Sequence, residues 1–213
     1  MFTLNPALST FNNDLVPANI KGKPIDLEYF VDLPSREDAC ECFKRAAKRM
    51  LNPPIWHELA GWPSAEFRLA GENGTDLHRL ALEGDFIRIN IPGPGPLAGE
   101  GYDWVKVEKL EDHHNPEGMR EWIGMKVRPC SNPVHTDLET AHFFQSDATS
   151  SYIIQRLGSK VTVFYHGRNE VPNTSTENMV DGVRNALVAA GAIVSLSEAQ
   201  WSALSRGFLN KEL

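Results

Sequence analysis

Apolar residues in this chain alternate with polar ones in some stretches and recur every three or four positions in others. Period two belongs to strands and period 3.6 to helices. The region 151–209 carries both. Tyr152–Leu157 and Lys160–His166 read as two strands joined at Gly158-Ser159. Val161, Val163 and Tyr165 share one face, and Thr162, Phe164 and His166 share the other. Both faces hold apolar groups, so alternation leaves open which one is inside. Val171-Pro172-Asn173 breaks the pattern, and Thr174-Ser175-Thr176-Glu177 then has capping-box spacing. Val180, Val183, Leu187, Ala190 and Val194 follow at helical steps. A helix with one apolar stripe has to bury it, and the preceding sheet is the nearest surface. Gly191 permits two readings: one long helix with a kink, or a second helix capped by Ser195-Leu196-Ser197-Glu198 and carrying Trp201, Leu204 and Phe208.

Upstream, residues 1–24 are rich in Asn and Pro and read as an extended arm. Ile25–Val31 is a first strand, with Ile25, Leu27, Tyr29 and Val31 on one face. Pro34-Ser35 stops it and caps a helix striped by Ala39, Cys42, Phe43, Ala46, Ala47 and Met50. Acids lead this helix and bases follow, as its dipole favours. Asn52-Pro53-Pro54 ends it, and a short segment Ile55–Leu59 precedes Gly61-Trp62-Pro63. Glu66–Ala70 and the less regular Leu77–Leu82 are further strand candidates. Asp85–Ile91, Trp104–Leu110 and Glu121–Arg128 each pair a greasy face with a wet one, as antiparallel sheets covered on a single side do. Pro92-Gly93-Pro94-Gly95-Pro96 is a stiff loop too short to divide domains.

The element order is therefore strand, helix, short helix, several antiparallel strands and a C-terminal helix. Carried by Ile25–Val31, Ser35–Leu51 and Thr174–Leu209, that order resembles the START-related (SRPBCC) superfamily of lipid-transfer proteins, polyketide cyclases and pollen allergens. The resemblance implies an α+β helix-grip fold: a curved antiparallel sheet wrapped around a long C-terminal helix, with an apolar cavity between them. With the arm read at 1–24 from its composition, the expected helix-grip-like domain is 25–213. Members share no universal catalytic set, so the resemblance transfers no functional residue. The arm and the break at Gly191 depart from the simple pattern.

Composition narrows the function classes. With 41% hydrophobic and 23% charged residues, the chain is an ordinary globular one. A net charge of −7 argues against nucleic acid as a partner, which calls for a concentrated basic face. The basic cluster Lys44-Arg45 with Lys48-Arg49 suits the C-terminal end of a helix. No stretch approaches the ~20 apolar residues of a membrane span. Nor does Met1-Phe2-Thr3-Leu4-Asn5-Pro6 read as a secretory leader. Three cysteines, with Cys40 and Cys42 about 200° apart on a helix, point to reduced thiols and a cytoplasmic location.

Candidate chemistry is sparse. The Pro-Gly loop lacks the amides and the Lys-Ser/Thr of a phosphate cradle; it reads first as a plain strand connection and, with Gly99, Gly101 and Tyr102, second as a rim beside a pocket. His135, Asp137, His142 and Asp147 supply metal-ligand atoms, but without a two-histidine helical spacing, so no metal and no cofactor are expected. No Gly-x-Ser-x-Gly elbow is present, and Cys130 has no local base. His166-Gly167-Arg168-Asn169-Glu170 is the densest polar cluster. Turned inward, His166 would act as acid or base and Arg168 would hold a carboxylate or enolate. Turned outward, both meet water and Arg168 pairs with Glu170. Trp56, Trp62, Tyr102, Trp104, Tyr152 and Phe164 are the candidate ligand contacts. The lead expectation is binding of an apolar or aromatic small molecule between sheet and last helix, with a homodimer left open. The alternatives are a cyclase or hydratase acting through His166 and Arg168 on a polyketide-like or enone substrate, and a protein-interaction module without a cavity.

Overall fold

The computed structural model of the protein describes residues 14–61, 64–91, 97–135, 139–173 and 192–211. Trp62, the Pro92–Pro96 loop, Asp137 and the capping box and helical stripe expected over 174–190 lie outside them. The strands are β1 (Ile25–Asp32), β2 (Glu66–Ala70), β3 (Phe86–Asn90), β4 (Asp103–His113), β5 (Arg120–Pro129), β6 (Thr149–Leu157) and β7 (Lys160–Arg168). They form one antiparallel sheet in the order β1-β7-β6-β5-β4-β3-β2. Consecutive strands are neighbours except at one place, where β1 pairs with β7 from Ile25↔Gly167 to Asp32↔Lys160. The β6–β7 hairpin turns at Gly158, whose φ of 61° is left-handed and free of strain for glycine. Leu77–Leu82 is not a strand. Its Leu77 amide donates to the Leu69 carbonyl of β2, beside an isolated bridge between Ala70 and Asp76, but its Ala81 amide turns away to the Leu51 carbonyl, so no ladder forms.

Among the described residues the α-helices are α1 (Arg36–Met50), α2 (Trp56–Ala60) and α3 (Ala192–Leu209). Ser35 caps α1 as its spacing implied, its hydroxyl accepting from the Asp38 amide at 3.0 Å. These described helices lie on one face of the sheet, the inner face. Val161, Val163 and Tyr165 of β7 point to that face and join Phe43, Met50, Trp56, Leu204 and Phe208 in the main core. The arrangement is the helix-grip one, α+β and a single domain, with α3 laid across the sheet. α3 begins at Ala192, three residues before the start considered at Ser195.

The outer face is covered too, against the expectation of one wet side. Leu15 of the arm packs with Ile153 and Phe164, and Phe86 and Trp104 form a further cluster. The arm docks because the sheet offers it a seat. Gly124 has no side chain where Leu15 lies, and the Ser151 hydroxyl donates to the Leu15 carbonyl at 2.6 Å.

One basic residue acts on a different helix from the one expected. Arg49 is buried, and its guanidinium donates to the carbonyls of Gly207, Phe208 and Asn210 at the end of α3. The last carbonyls of a helix lie beyond the reach of its own amide ladder and call for such donors. The Trp56 indole donates to the Arg49 carbonyl at 3.0 Å, so one residue ties the three helices together. α3 also approaches α2 closely: a Cβ on Gly207 would stand 2.4 Å from the Leu59 carbonyl oxygen. Backbone cannot swing away as a side chain can. Gly207→Ala is expected to cost about 1–3 kcal/mol of stability, read from urea denaturation; an unchanged midpoint would mean that α2 and α3 part freely.

Candidate functional site

The site begins where β7 ends. Asn169 has φ 56°, a left-handed conformation that asparagine tolerates better than most non-glycine residues. This turn folds Glu170 back onto the inner face, against Gly167. A Cβ on Gly167 would lie 2.4 Å from Glu170 Oε1, so glycine leaves the carboxylate its place. The Tyr165 hydroxyl donates to Glu170 Oε1 at 3.1 Å, and Ser150 Oγ is 3.1 Å from the same hydroxyl. Tyr152 of β6 stands beside Tyr165, ring centroids 5.0 Å apart. From α3, Trp201 stacks on Tyr165 at 5.7 Å and meets Tyr152 edge-on at 6.2 Å. Ser205 reaches towards Tyr152 and draws its phenol down against burial, while its own hydroxyl donates to the Trp201 carbonyl at 2.7 Å.

Two polar atoms here are buried without a hydrogen-bond partner: Glu170 Oε2 and Tyr152 Oη. Each such atom costs about 1–3 kcal/mol relative to a satisfied one. Folded proteins carry few of them, and a ligand or ordered water is a common reason for those that persist. Burial pushes the Glu170 carboxyl up to about 7, while the Tyr165 hydrogen bond and the Arg168 charge pull it back and Glu198 adds repulsion. Burial likewise holds the Tyr152 and Tyr165 phenols well above their ordinary range, helped by the Glu170 charge. The arrangement offers a carboxyl that changes charge near neutrality and a phenol with a spare hydrogen bond, both walled by aromatic rings.

Of the residues singled out from sequence, Tyr152 and Trp56 lie on this face; Trp56 meets Tyr152 and Phe208 edge-on at 6.1 and 6.3 Å. Phe164, His166, Arg168, Tyr102 and Trp104 stand on the other. Neighbouring residues of a strand point to opposite sides, so Tyr165 facing inward places Phe164 and His166 outward. There His166 Nδ1 is 2.6 Å from Asp26 Oδ1, and Arg168 Nη2 is 2.6 Å from the same oxygen. Burial pushes the Asp26 carboxyl up, but these two partners hold it below its usual range. Burial also lowers His166, against the pull of Asp26. Arg168 thus pairs with Asp26, not with Glu170. Tyr102 lies under the Arg88 guanidinium at 4.9 Å.

Sequence reasoning noted Glu170 only as a partner for Arg168 and passed over Tyr165, Ser150 and Trp201 as site residues. The legible signal was Gly167 and Asn169 flanking the strand end, residue types that allow a chain to reverse.

The other candidates have local partners. His135 meets Glu100 at 2.8 Å, His142 stacks on Phe143 at 4.3 Å, and Asp147 pairs with Lys21 at 2.8 Å. Among the described residues no group of three or more His, Cys, Asp or Glu could hold a metal ion, and no helix is long and apolar enough to cross a membrane.

No family model matches the chain, and no curated protein matches it. Among solved structures, the chain is similar to a protein of Thermus thermophilus at 12% identity and TM-score 0.40, over 90% of this chain and 100% of that one. It is similar to the major latex-like protein 151 of Panax ginseng at 12% identity and TM-score 0.37, over 82% and 97%. It is also similar to a truncated norcoclaurine synthase of Thalictrum flavum at 14% identity and TM-score 0.32, over 86% and 91%. The architecture described above stands on its own strand order and helix placement, and no activity is carried over from these proteins.

Proposed function

We propose that the protein binds a small aromatic molecule between α3 and the sheet, with one polar substituent seated on Glu170 and Tyr152. The observation that carries this reading is the pair of buried, unpartnered polar atoms, Glu170 Oε2 and Tyr152 Oη, beside the rings of Tyr165 and Trp201. Apolar walls supply affinity, and a few placed polar groups fix orientation. A hydroxyl or amine on the ligand would satisfy what folding leaves unsatisfied.

The test is a matched pair of probes, 1-naphthol and naphthalene, titrated by fluorescence. Naphthol is expected to bind about tenfold more tightly than naphthalene, the worth of one good buried hydrogen bond. Tyr152→Phe and Glu170→Gln are each expected to shrink that preference while leaving naphthalene affinity nearly unchanged. Equal affinities in the unmodified protein, or no binding of either probe, would overturn the reading.

A second reading rests on the carboxyl held near pH 7 by burial. Such a group gives or takes a proton on a bound molecule readily, which is the requirement of the cyclase or hydratase class. Under this reading Glu170→Gln abolishes turnover of an enone substrate without weakening its binding.

A further inference from the structure

We infer that residues Ala18–Gly22 of the N-terminal arm are the positioning element for Glu170, acting across the sheet edge through Asn169. The functional consequence rests on the reading above; the coupling itself does not.

The arm crosses the outer face, yet its contacts converge on the residue that directs Glu170 inward. Asn169 Oδ1 accepts from the Ile20 amide at 2.7 Å and the Lys21 amide at 3.2 Å. Its Nδ2 donates to the Ala18 carbonyl at 3.3 Å, and its own amide donates to Asn19 Oδ1 at 2.9 Å. Four hydrogen bonds to one arm segment hold a residue whose left-handed backbone already carries a cost. Asn19 Nδ2 closes the arm's own turn on the Gly22 carbonyl at 3.0 Å. Gly22, with φ 67°, lies so close that a Cβ there would be 2.9 Å from the Glu170 carbonyl oxygen. The arm therefore touches the main chain of Glu170 as well as that of its predecessor.

The far side of Glu170 is braced by the same segment. Lys21 Nζ donates to Gln145 Oε1 at 2.6 Å and pairs with Asp147 at 2.8 Å. The Gln145 amide in turn donates to the Val171 carbonyl at 3.0 Å, and its side-chain amide reaches the Pro172 carbonyl at 3.4 Å. Residues 169 and 171–172 are thus both held, one directly and the other through Gln145. With its backbone gripped at both ends, the Glu170 carboxyl has little choice but the slot over Gly167. The charged and titratable groups around it there are Tyr165 and Arg168 of β7, Tyr152 of β6 and Glu198 of α3. Loosening the arm lets the carboxyl leave that slot for water, a change in desolvation rather than in any of these partners.

The experiment is a carbon-13 NMR titration of the Glu170 carboxyl in the full chain, with no ligand present. Asn169→Gly keeps a residue at home in the left-handed region and removes the side-chain bonds to Ala18, Ile20 and Lys21. Asn19→Ala removes the acceptor for the Asn169 amide and serves if the first variant does not fold. Each is expected to move the Glu170 midpoint down from near 7 by about one unit or more, and to weaken 1-naphthol binding about tenfold. A merely structural arm would lower Tm and leave the midpoint in place; that result overturns the inference. If the midpoint moves while naphthol binds no variant and not the unmodified protein, the binding reading fails and the coupling stands.

Discussion

Replacing Arg156 with methionine is expected to lower the free energy of unfolding by about 3–5 kcal/mol, the cost of breaking a buried ion pair from one side. Arg156 is fully buried on β6, and its Nε lies 2.6 Å from Glu121 Oε1 on β5. The remaining donors serve turns: the carbonyls of Gly158 at 3.2 Å, Asn115 at 3.2 Å and Gly118 at 2.9 Å. One guanidinium thereby closes the β6–β7 hairpin against the β4–β5 loop. Methionine fills much of the volume but leaves Glu121, 1% exposed, without its cation, and takes a donor from three carbonyls, of which Gly118 keeps Arg36 and Asn115 keeps the Gly118 amide. His114 at 2.9 Å and the Asn115 amide at 3.2 Å remain to the carboxylate, which limits the loss. The double variant Arg156→Met with Glu121→Leu is expected to recover more than half of it, because removing both charges removes the desolvation cost as well. Urea denaturation of the two variants reads both quantities. A loss under about 1 kcal/mol in the single variant is the value of an exposed pair and would contradict the burial described.

The second large effect is a dependence of stability on pH with an uncommon sign. Glu170 has its carboxyl raised from the usual 4.5 to about 7 in the folded state. The folded protein holds this proton more tightly than the unfolded chain does, so the group's contribution is fully present below about 4.5 and is lost as pH rises through about 7. At a limiting slope of about 1.4 kcal/mol per pH unit, the loss approaches about 3 kcal/mol across that window. His166 works in the opposite direction. Burial lowers its folded pKa, so its contribution is present above the unfolded value of about 6.5 and fades on acidification. The raw profile mixes the two, and the comparison with Glu170→Gln separates them. Glutamine keeps the shape and cannot ionise, so the variant is expected to gain stability relative to the unmodified protein as pH goes from 5 to 8. A difference between the two proteins that stays constant across that range would mean that the carboxyl is solvated in the fold. The same carboxyl then loses its claim to a functional role.

Most of the elements were legible because the signals that specify them are local. Ser35 before Asp38 marks the start of α1, Gly158 marks the tight turn of the hairpin, and the alternation of Ile87, Ile89 and of Val105, Val107 marks β3 and β4 with their inward face. Leu77–Leu82 misled because its apolar residues imitate a strand, while only Leu77 bonds to β2 and Leu80 and Leu82 are exposed.

The direction of β7 was not legible, and the reason is physical. Val161, Val163 and Tyr165 compete with Phe164 on the opposite face, and each set finds an apolar cover: the helices on one side, Leu15 of the arm on the other. Nothing within the strand itself says which cover is which, because both are supplied by segments far away in the chain. The same choice decided the fate of two polar groups. It turned His166 towards Asp26 and left Glu170, through one left-handed asparagine, beneath α3. Residue order thus sets what each segment is, by short-range periodicity and turn chemistry. Which side of a segment becomes the interior, and therefore which carboxyl is buried, depends on packing between segments remote from one another in the chain.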